Sequence, residues 1–322
     1  MLNNPTNPMY PAAEIDQLLE RMSQTGFQGR KLGESYHIWK EMIETPGVKI
    51  ILGLSGAMIP AGMQECLIQL VEHRYVDAIV STGANIFHDI CEHLGVRHYK
   101  GTHLTNDEEL YQNGIDRIYD VFAVEKEFQN VEHYIGDFGA SLGDARLSSR
   151  AFLRLLGEKI AAERPEGRSL LAACVKHNVP VHVPALADSA IGIGLVTAYR
   201  NGAKLVIDQI ADASELAAFV EDAEKTGVIY LGGGTPKNFI QQTEVIPPQK
   251  MEKYIGGHSY AIQYTTDAPH WGGLSGCTFE EAVSWGKELP DAKKLQCFCD
   301  VTIALPLIVS GLIAADVVRK HD

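Results

Sequence analysis

The segment Thr278-Phe279-Glu280-Glu281-Ala282-Val283-Ser284-Trp285-Gly286-Lys287 brings an amine, an indole and a carboxylate close together in the chain. A lysine becomes nucleophilic when burial strips its ammonium of water, because desolvation favours the neutral amine. Trp285 can supply that apolar wall, and its ring face can hold a substrate ammonium by cation–π attraction. Glu281 offers a counter-charge. Imine chemistry on Lys287 is one reading of this pattern. The other is structural: Thr278 and Glu281 form a capping box, Pro290 limits the helix they start, and Lys287 is a solvated last-turn cation matching the helix dipole. Just upstream, Thr265-Thr266-Asp267-Ala268-Pro269-His270-Trp271 offers a carboxylate and an imidazole. Asp267 could pair an amine or guanidinium and His270 could move protons in imine steps. Pro269 and the following Gly272 and Gly273 equally suit a surface turn.

These groups need a scaffold. Short runs rich in β-branched residues occur at Val48–Leu52, Val76–Val80, Val179–Val183, Leu205–Ile207, Val228–Leu231 and Leu295–Phe298. Helical periodicities separate them, among others at Met63–His73, Ser148–Ala162, Ser214–Glu224 and Thr302–Ala314. Strand followed by helix, repeated, predicts an α/β fold with a mainly parallel central sheet and helices on both faces. Such sheets take ligands at the carboxyl ends of their strands. Small residues gather at those ends, in Gly53-Leu54-Ser55-Gly56, Ser81-Thr82-Gly83-Ala84-Asn85 and Gly232-Gly233-Gly234-Thr235. Bare backbone amides there can approach a phosphate. None spells a G-x-G-x-x-G or P-loop fingerprint, so an ordinary dehydrogenase or NTP hydrolase is not supported.

Composition bounds the partners. With 28 Lys and Arg against 41 Asp and Glu, the formal charge is −13, which disfavours nucleic acid and anionic membranes and suits small cations. The N-terminus carries no basic region followed by an apolar run, and Val301–Ala315 is too short to span a bilayer. A cytosolic protein with reduced cysteines is the expectation. No linker-like tract interrupts residues 1–322, which predicts a single domain with an N-terminal arm and helix over about residues 1–25.

The Lys287 segment, with EAVSWGK at its core, resembles the active-lysine motif of the deoxyhypusine synthase family. The likeness runs along most of the chain, through TGFQGRKLGES, the turn at Leu52–Gly62, VDAIVSTGAN, NGIDRI, VPALADSAIG, YLGGGTPK and Cys299-Asp300. It implies an NAD-binding parallel-sheet fold and a homotetramer with active sites at subunit interfaces. It also implies that spermidine is oxidised with NAD and that its aminobutyl group passes to the lysine as an imine. An acceptor amine, a protein lysine in the parent activity, then takes the group. By matched position Lys287 is the nucleophile, Trp285 packs along the substrate chain and Glu281 holds an ammonium. Asp188 lies near the nicotinamide end, and Gly232, Gly233, Gly234, Thr266, Ser275 and Asp300 contact the cofactor. Ser81 and Thr82 stand for a family Thr-Thr pair.

The departures fall in the polyamine pocket. A family aspartate is here Ile193, a histidine is Asn238 and a second aspartate is Leu274; an acidic residue near the adenosine end reads Phe87. Unpaired buried ammonium groups cost several kcal/mol, so spermidine in the family pose is disfavoured. A small amine such as putrescine, as in the homospermidine synthases, or a guanidino-amine becomes at least as good a fit. Two other classes stay open: a lysine-imine lyase or hydrolase without net hydride transfer, and a non-catalytic NAD-binding protein. A zinc site built from His88, Cys91, His93, His98 and His103 is disfavoured because no C-x-x-C pair accompanies them. Cys297 and Cys299 read as a buried pair rather than a redox couple.

Overall fold

The computed structural model describes residues 7–246 and 256–320; the first six residues of the expected N-terminal arm lie outside them. Contacts divide the chain into two compact units, one from Met1–Ser55, Gln69–Val80 and Ala213–Asp322, the other from Gly56–Ile68 and Ser81–Asp212.

In the first unit five strands lie side by side in the order Glu288–Phe298, His258–Thr265, Lys225–Leu231, Val48–Leu54, Ala78–Ser81. The pairings of His258–Thr265 with both its neighbours, and of Lys225–Leu231 with Val48–Leu54, are parallel. Strands covered on both faces read as continuous apolar runs, which is why Val48–Leu54 was visible in sequence; six of its seven residues are buried. Ile51, Val80, Val228, Tyr230, Ile240, Ala261 and Phe279 form the core here. The chain is thus α/β with a mainly parallel central sheet and helices around it, as the alternation predicted. Helix Val301–Ala314, expected as a buried core helix, buries one face through residues such as Ala304, Leu305, Ile308 and Leu312 while Ile303 is exposed, and no described helix is long and apolar enough to cross a membrane.

Three sequence expectations are corrected. The helix from Thr278 ends at Val283, because Gly286 takes φ +70° and turns the chain. Pro290 does not stop it but lies inside strand Glu288–Phe298, a strand at the end of the sheet, where a missing N–H is tolerated. That strand is much longer than Leu295–Phe298, its polar first half having hidden it. The helix expected at Ser214–Glu224 runs from Gln209 to Glu221, since Asp208 Oδ1 accepts the N–H groups of Ile210 and Ala211 at 3.1 Å each.

The second unit carries a small antiparallel sheet in the order Tyr99–Lys100, Val121–Val124, Ile115–Ile118, which no sequence signal announced. Helices Glu125–Ser141 and Ala190–Arg200 meet backbone to backbone. A Cβ at Gly194 would lie 2.4 Å from Glu132 O, and one at Gly136 2.7 Å from Gly194 O. Ile193, just before Gly194, is 55% exposed.

Candidate active site

Strand Lys225–Leu231 ends in the glycine triplet, and helix Gly234–Gln242 starts on it. Gly232 and Gly234 have φ of +86° and +56°, conformations a side chain would strain. Gly233 is needed for space: a Cβ there would sit 2.5 Å from Ser275 Cα. The Gly234 N–H donates to Ser275 Oγ at 3.0 Å, and Ser55 Oγ donates to Gly233 O. Beneath them, fully buried Gln263 donates from Nε2 to Gly232 O and Ser275 O, both at 2.8 Å. The triplet brings no side chain of its own to this helix N-terminus, where a phosphate is favoured; Gly233 is buried against Ser275 and its two neighbours are half-buried. Gly232, Gly233, Gly234 and Ser275 are brought together as the sequence implied. Thr266 is exposed beyond the end of its strand, and Asp300 caps helix Val301–Ala314, its Oδ1 accepting Thr302 N–H at 2.7 Å.

Lys287 stands where the turn at Gly286 meets strand Glu288–Phe298. Its backbone is tied on both sides, its N–H donating to Ala282 O and its carbonyl accepting from His258 N–H, each at 3.1 Å. Its Nζ donates to Asn238 Oδ1 at 3.2 Å and lies 5.7 Å from the Trp285 ring centroid. A cleft of about 600 Å³ opens here, lined by Lys287, Trp285, Glu281, Asn238, Leu274 and Cys277 among others. Glu281 is the one carboxylate among its described lining residues. Asp267 and His270 do not line it. The short 3-10 turn Pro269–Trp271 leaves both exposed, with His270 packed on Trp271 at 4.4 Å between centroids.

Thr278 Oγ1 accepts the Glu281 N–H at 3.2 Å, the expected helix cap. Thr278→Ala should cost about 1 kcal/mol in urea denaturation.

Under the cleft floor lies a second lysine. Lys237 is wholly buried, its Nζ donating to Gln263 Oε1 at 2.9 Å and Cys277 O at 2.6 Å. Phe279 and Tyr230 rings lie 5.5 and 5.9 Å from it. Burial lowers its pKa to about 8. Burial also pushes the Cys277 thiol up, against the pull of Lys237. Nothing in the sequence singles out Gln263, His258 or Glu288 for a site; Lys237 ends the YLGGGTPK motif, one helical turn after the glycine triplet, but nothing there marks it as buried.

In the second unit Thr82 caps helix Gly83–His93, its Oγ1 donating to Gly56 O at 2.8 Å and accepting from Asn85 Nδ2 at 3.0 Å. Ser81 is buried and donates to Thr82 O at 3.0 Å. Asp188 is exposed, just before the Ser189 cap of helix Ala190–Arg200. His98 bridges His88 Nδ1 at 3.0 Å and Glu92 Oε1 at 2.8 Å, a hydrogen-bonded chain among aromatic rings. In the first unit the Cys297 and Cys299 sulfurs are 3.4 Å apart.

A sequence model of deoxyhypusine synthase matches residues 17–312. "Probable deoxyhypusine synthase 2" of Methanosarcina acetivorans is 53% identical over 311 residues, 96% of this chain and 90% of that protein. Its namesake in Archaeoglobus fulgidus is 50% identical over 293 residues, 91% of this chain and 96% of that protein. The crystal structure of a deoxyhypusine synthase candidate from Entamoeba histolytica superposes with a TM-score of 0.66 at 17% identity, covering 98% of each chain, which supports the fold. The chain belongs to the deoxyhypusine synthase family of transferases.

Proposed function

We propose that this protein is an NAD-dependent transferase that moves an aminobutyl-type group from a donor amine to an acceptor amine through an imine on Lys287. The observation that carries the reading is the placing of Lys287 in the cleft, with Asn238 on its Nζ, the Trp285 ring beside it and Glu281 across the same space. The glycine corner at Gly232–Gly234, beside Ser275, supports a dinucleotide phosphate there because it is a helix N-terminus that brings no side chain of its own. Bound NAD would supply the hydride acceptor that makes a substrate amine electrophilic and the donor that later reduces the product.

The chain's own residues do the rest. Neutral Lys287 Nζ adds to the substrate C=N carbon, a proton moves from Nζ to the departing nitrogen, and the departing amine leaves with its electron pair. The C=N bond then joins the substrate carbon to Nζ, and an acceptor amine reverses the exchange. Asn238 Oδ1 accepts a hydrogen bond from Nζ but has no proton-accepting strength, so it aims the amine without titrating. Glu281 pairs the far ammonium and Trp285 shields the alkyl chain.

A second reading concerns the substrate pair. One carboxylate among the described lining residues balances one ammonium, which suits a diamine with one end reacting at Lys287 better than a tricationic polyamine. Putrescine-like amines are therefore proposed beside a protein lysine as acceptors. A cytoplasmic homotetramer with interface sites is part of the same proposal, and solution mass at working concentration tests it.

The decisive experiment incubates the full chain with NAD and, separately, spermidine, putrescine and a guanidino-amine, followed by borohydride and peptide mass analysis. A reduced adduct on Lys287 that requires NAD is the expected result. An adduct without NAD would support an imine lyase instead, and no adduct or NADH with any amine would reject both.

A further inference from the structure

In the first unit Gln241 Oε1, His258 Nε2, Glu288 Oε2 and Tyr230 Oη have no hydrogen-bond partner among the described residues, although each residue is at most 1% exposed. Buried polar atoms are nearly always paired, so several unpaired ones in one region point to a bound group. These residues are neighbours. Gln241 Nε2 donates to Glu288 Oε1 at 2.8 Å, which leaves the amide oxygen of one and the second carboxylate oxygen of the other for a further partner. His258 pairs with Glu288 across adjacent strands, and its N–H donates to Lys287 O at 3.1 Å. Tyr230, from the strand beyond, lies within reach of the charges of Glu288 and Glu244.

The imidazole is held in one orientation. Its Nδ1 lies 3.0 Å from Glu244 Oε1 and 2.8 Å from Thr226 Oγ1, while the Thr226 hydroxyl donates to Glu244 Oε1 at 3.2 Å and the Gly257 N–H to Glu244 Oε2 at 2.8 Å. With the hydroxyl proton spent on Glu244, the ring proton belongs on Nδ1 and Nε2 presents a lone pair. A histidine whose far nitrogen is held by a carboxylate is the usual arrangement behind a bound metal.

His258 Nε2, Glu288 Oε2 and Gln241 Oε1 are therefore all acceptors. One water would bring two protons to three acceptors and no charge to a buried carboxylate. Neither nearby lysine bonds that carboxylate: Lys237 Nζ donates to Gln263 and Cys277, and Lys287 Nζ to Asn238. A divalent cation meets all three lone pairs, and its charge balances Glu244 and Glu288 together. Calcium and magnesium take oxygen ligands, whereas one imidazole beside carboxylate and amide oxygens suits a first-row ion such as zinc.

We propose that His258 Nε2, Glu288 Oε2 and Gln241 Oε1 bind a first-row divalent cation of the zinc type, with Glu244 orienting the imidazole. The ion ties helix Gly234–Gln242, which carries Asn238, to the strand that begins beside Lys287, and so braces the cleft from behind. The site is independent of the imine reading, and its test needs no substrate.

The full chain, expressed with zinc or with cobalt in the medium, is analysed for metal by mass spectrometry after gel filtration. About one ion per chain is expected, and the cobalt form should absorb in the visible region as a low-coordinate site does. His258→Phe and Glu288→Gln should each lower the metal content about tenfold or more, and Glu244→Gln should weaken binding about 10- to 100-fold in competition with a chromophoric chelator. A variant carrying both Cys297→Ser and Cys299→Ser should keep the ion, and its loss there would assign the metal to the thiols and overturn the proposal. No metal on the wild type, which would leave water between these groups, or a metal that persists in folded His258→Phe, also overturns it. Should the variants fail to fold, X-ray absorption of the loaded wild type decides. A nitrogen and oxygen shell with one imidazole upholds the site; a sulfur shell or a second imidazole overturns it.

Discussion

Lys287→Ala is expected to remove the borohydride-trapped adduct and to lower amine-dependent turnover by about a thousandfold or more, because loss of a covalent nucleophile leaves only binding and orientation. Loss of folding would not explain such a drop. The Lys287 side chain is only half-buried and its Nζ makes a single hydrogen bond among the described residues, to Asn238, so its removal should change stability by less than about 1 kcal/mol. Lys287→Arg separates charge from nucleophilicity. A guanidinium keeps the positive charge and can still stack on Trp285, yet it does not deprotonate and cannot form the imine. Both variants should therefore be equally silent while retaining wild-type denaturation curves. Turnover within tenfold of wild type in either one would place the chemistry elsewhere.

The elements that hold this lysine were legible to different degrees, for physical reasons. Val48–Leu54 could be read because a central parallel strand is covered on both faces and must be apolar throughout. Strand Glu288–Phe298 could be read only in its last residues, since at the end of the sheet Pro290, Asp291 and Lys293 are exposed and carry no periodic signal. The cap at Thr278 was plain from local spacing, but the helix end was not: a positive φ at Gly286 looks the same in sequence as a glycine anywhere else.

The site divides in the same way. Lys287, Trp285 and Glu281 are close in sequence, and their spacing carried them. Lys237, His258 and Glu288 come from a helix and two strands, and charged residues are seldom buried. Each would be assigned to the surface until the pairing of His258 with Glu288 and the bond from Gln241 show otherwise. Asp267 and His270 show the reverse error. Their chemistry and closeness in sequence suggested a pocket, while a 3-10 turn of three residues leaves both in solvent.

Leu274→Asp should shift the cleft toward more highly charged amines. Leu274 opens the short turn Leu274–Gly276, lines the cleft and is 44% exposed, so a carboxylate there can stay hydrated and need not disturb the adjoining Ser275, whose Oγ accepts the Gly234 N–H. It would place a second acid beside Glu281, the one carboxylate among the described lining residues. A partly exposed ammonium–carboxylate pair contributes about 1 kcal/mol, so KM for spermidine should fall about five- to tenfold, with less effect on putrescine. Salt should shrink the gain, because an exposed pair is screened once the Debye length approaches the pair's separation. Leu274→Asn gives the matching uncharged control and should show no gain. Steady-state NADH formation with both amines at low and high ionic strength measures this, and equal KM values for the Asp and Asn variants would mean that bound substrate ammonium does not approach position 274. The formal charge of −13 cannot stand in for that measurement. Charge spread over a whole surface raises the local concentration of any cation, whereas discrimination between a dication and a trication depends on acids inside the cleft, where Leu274 now supplies none.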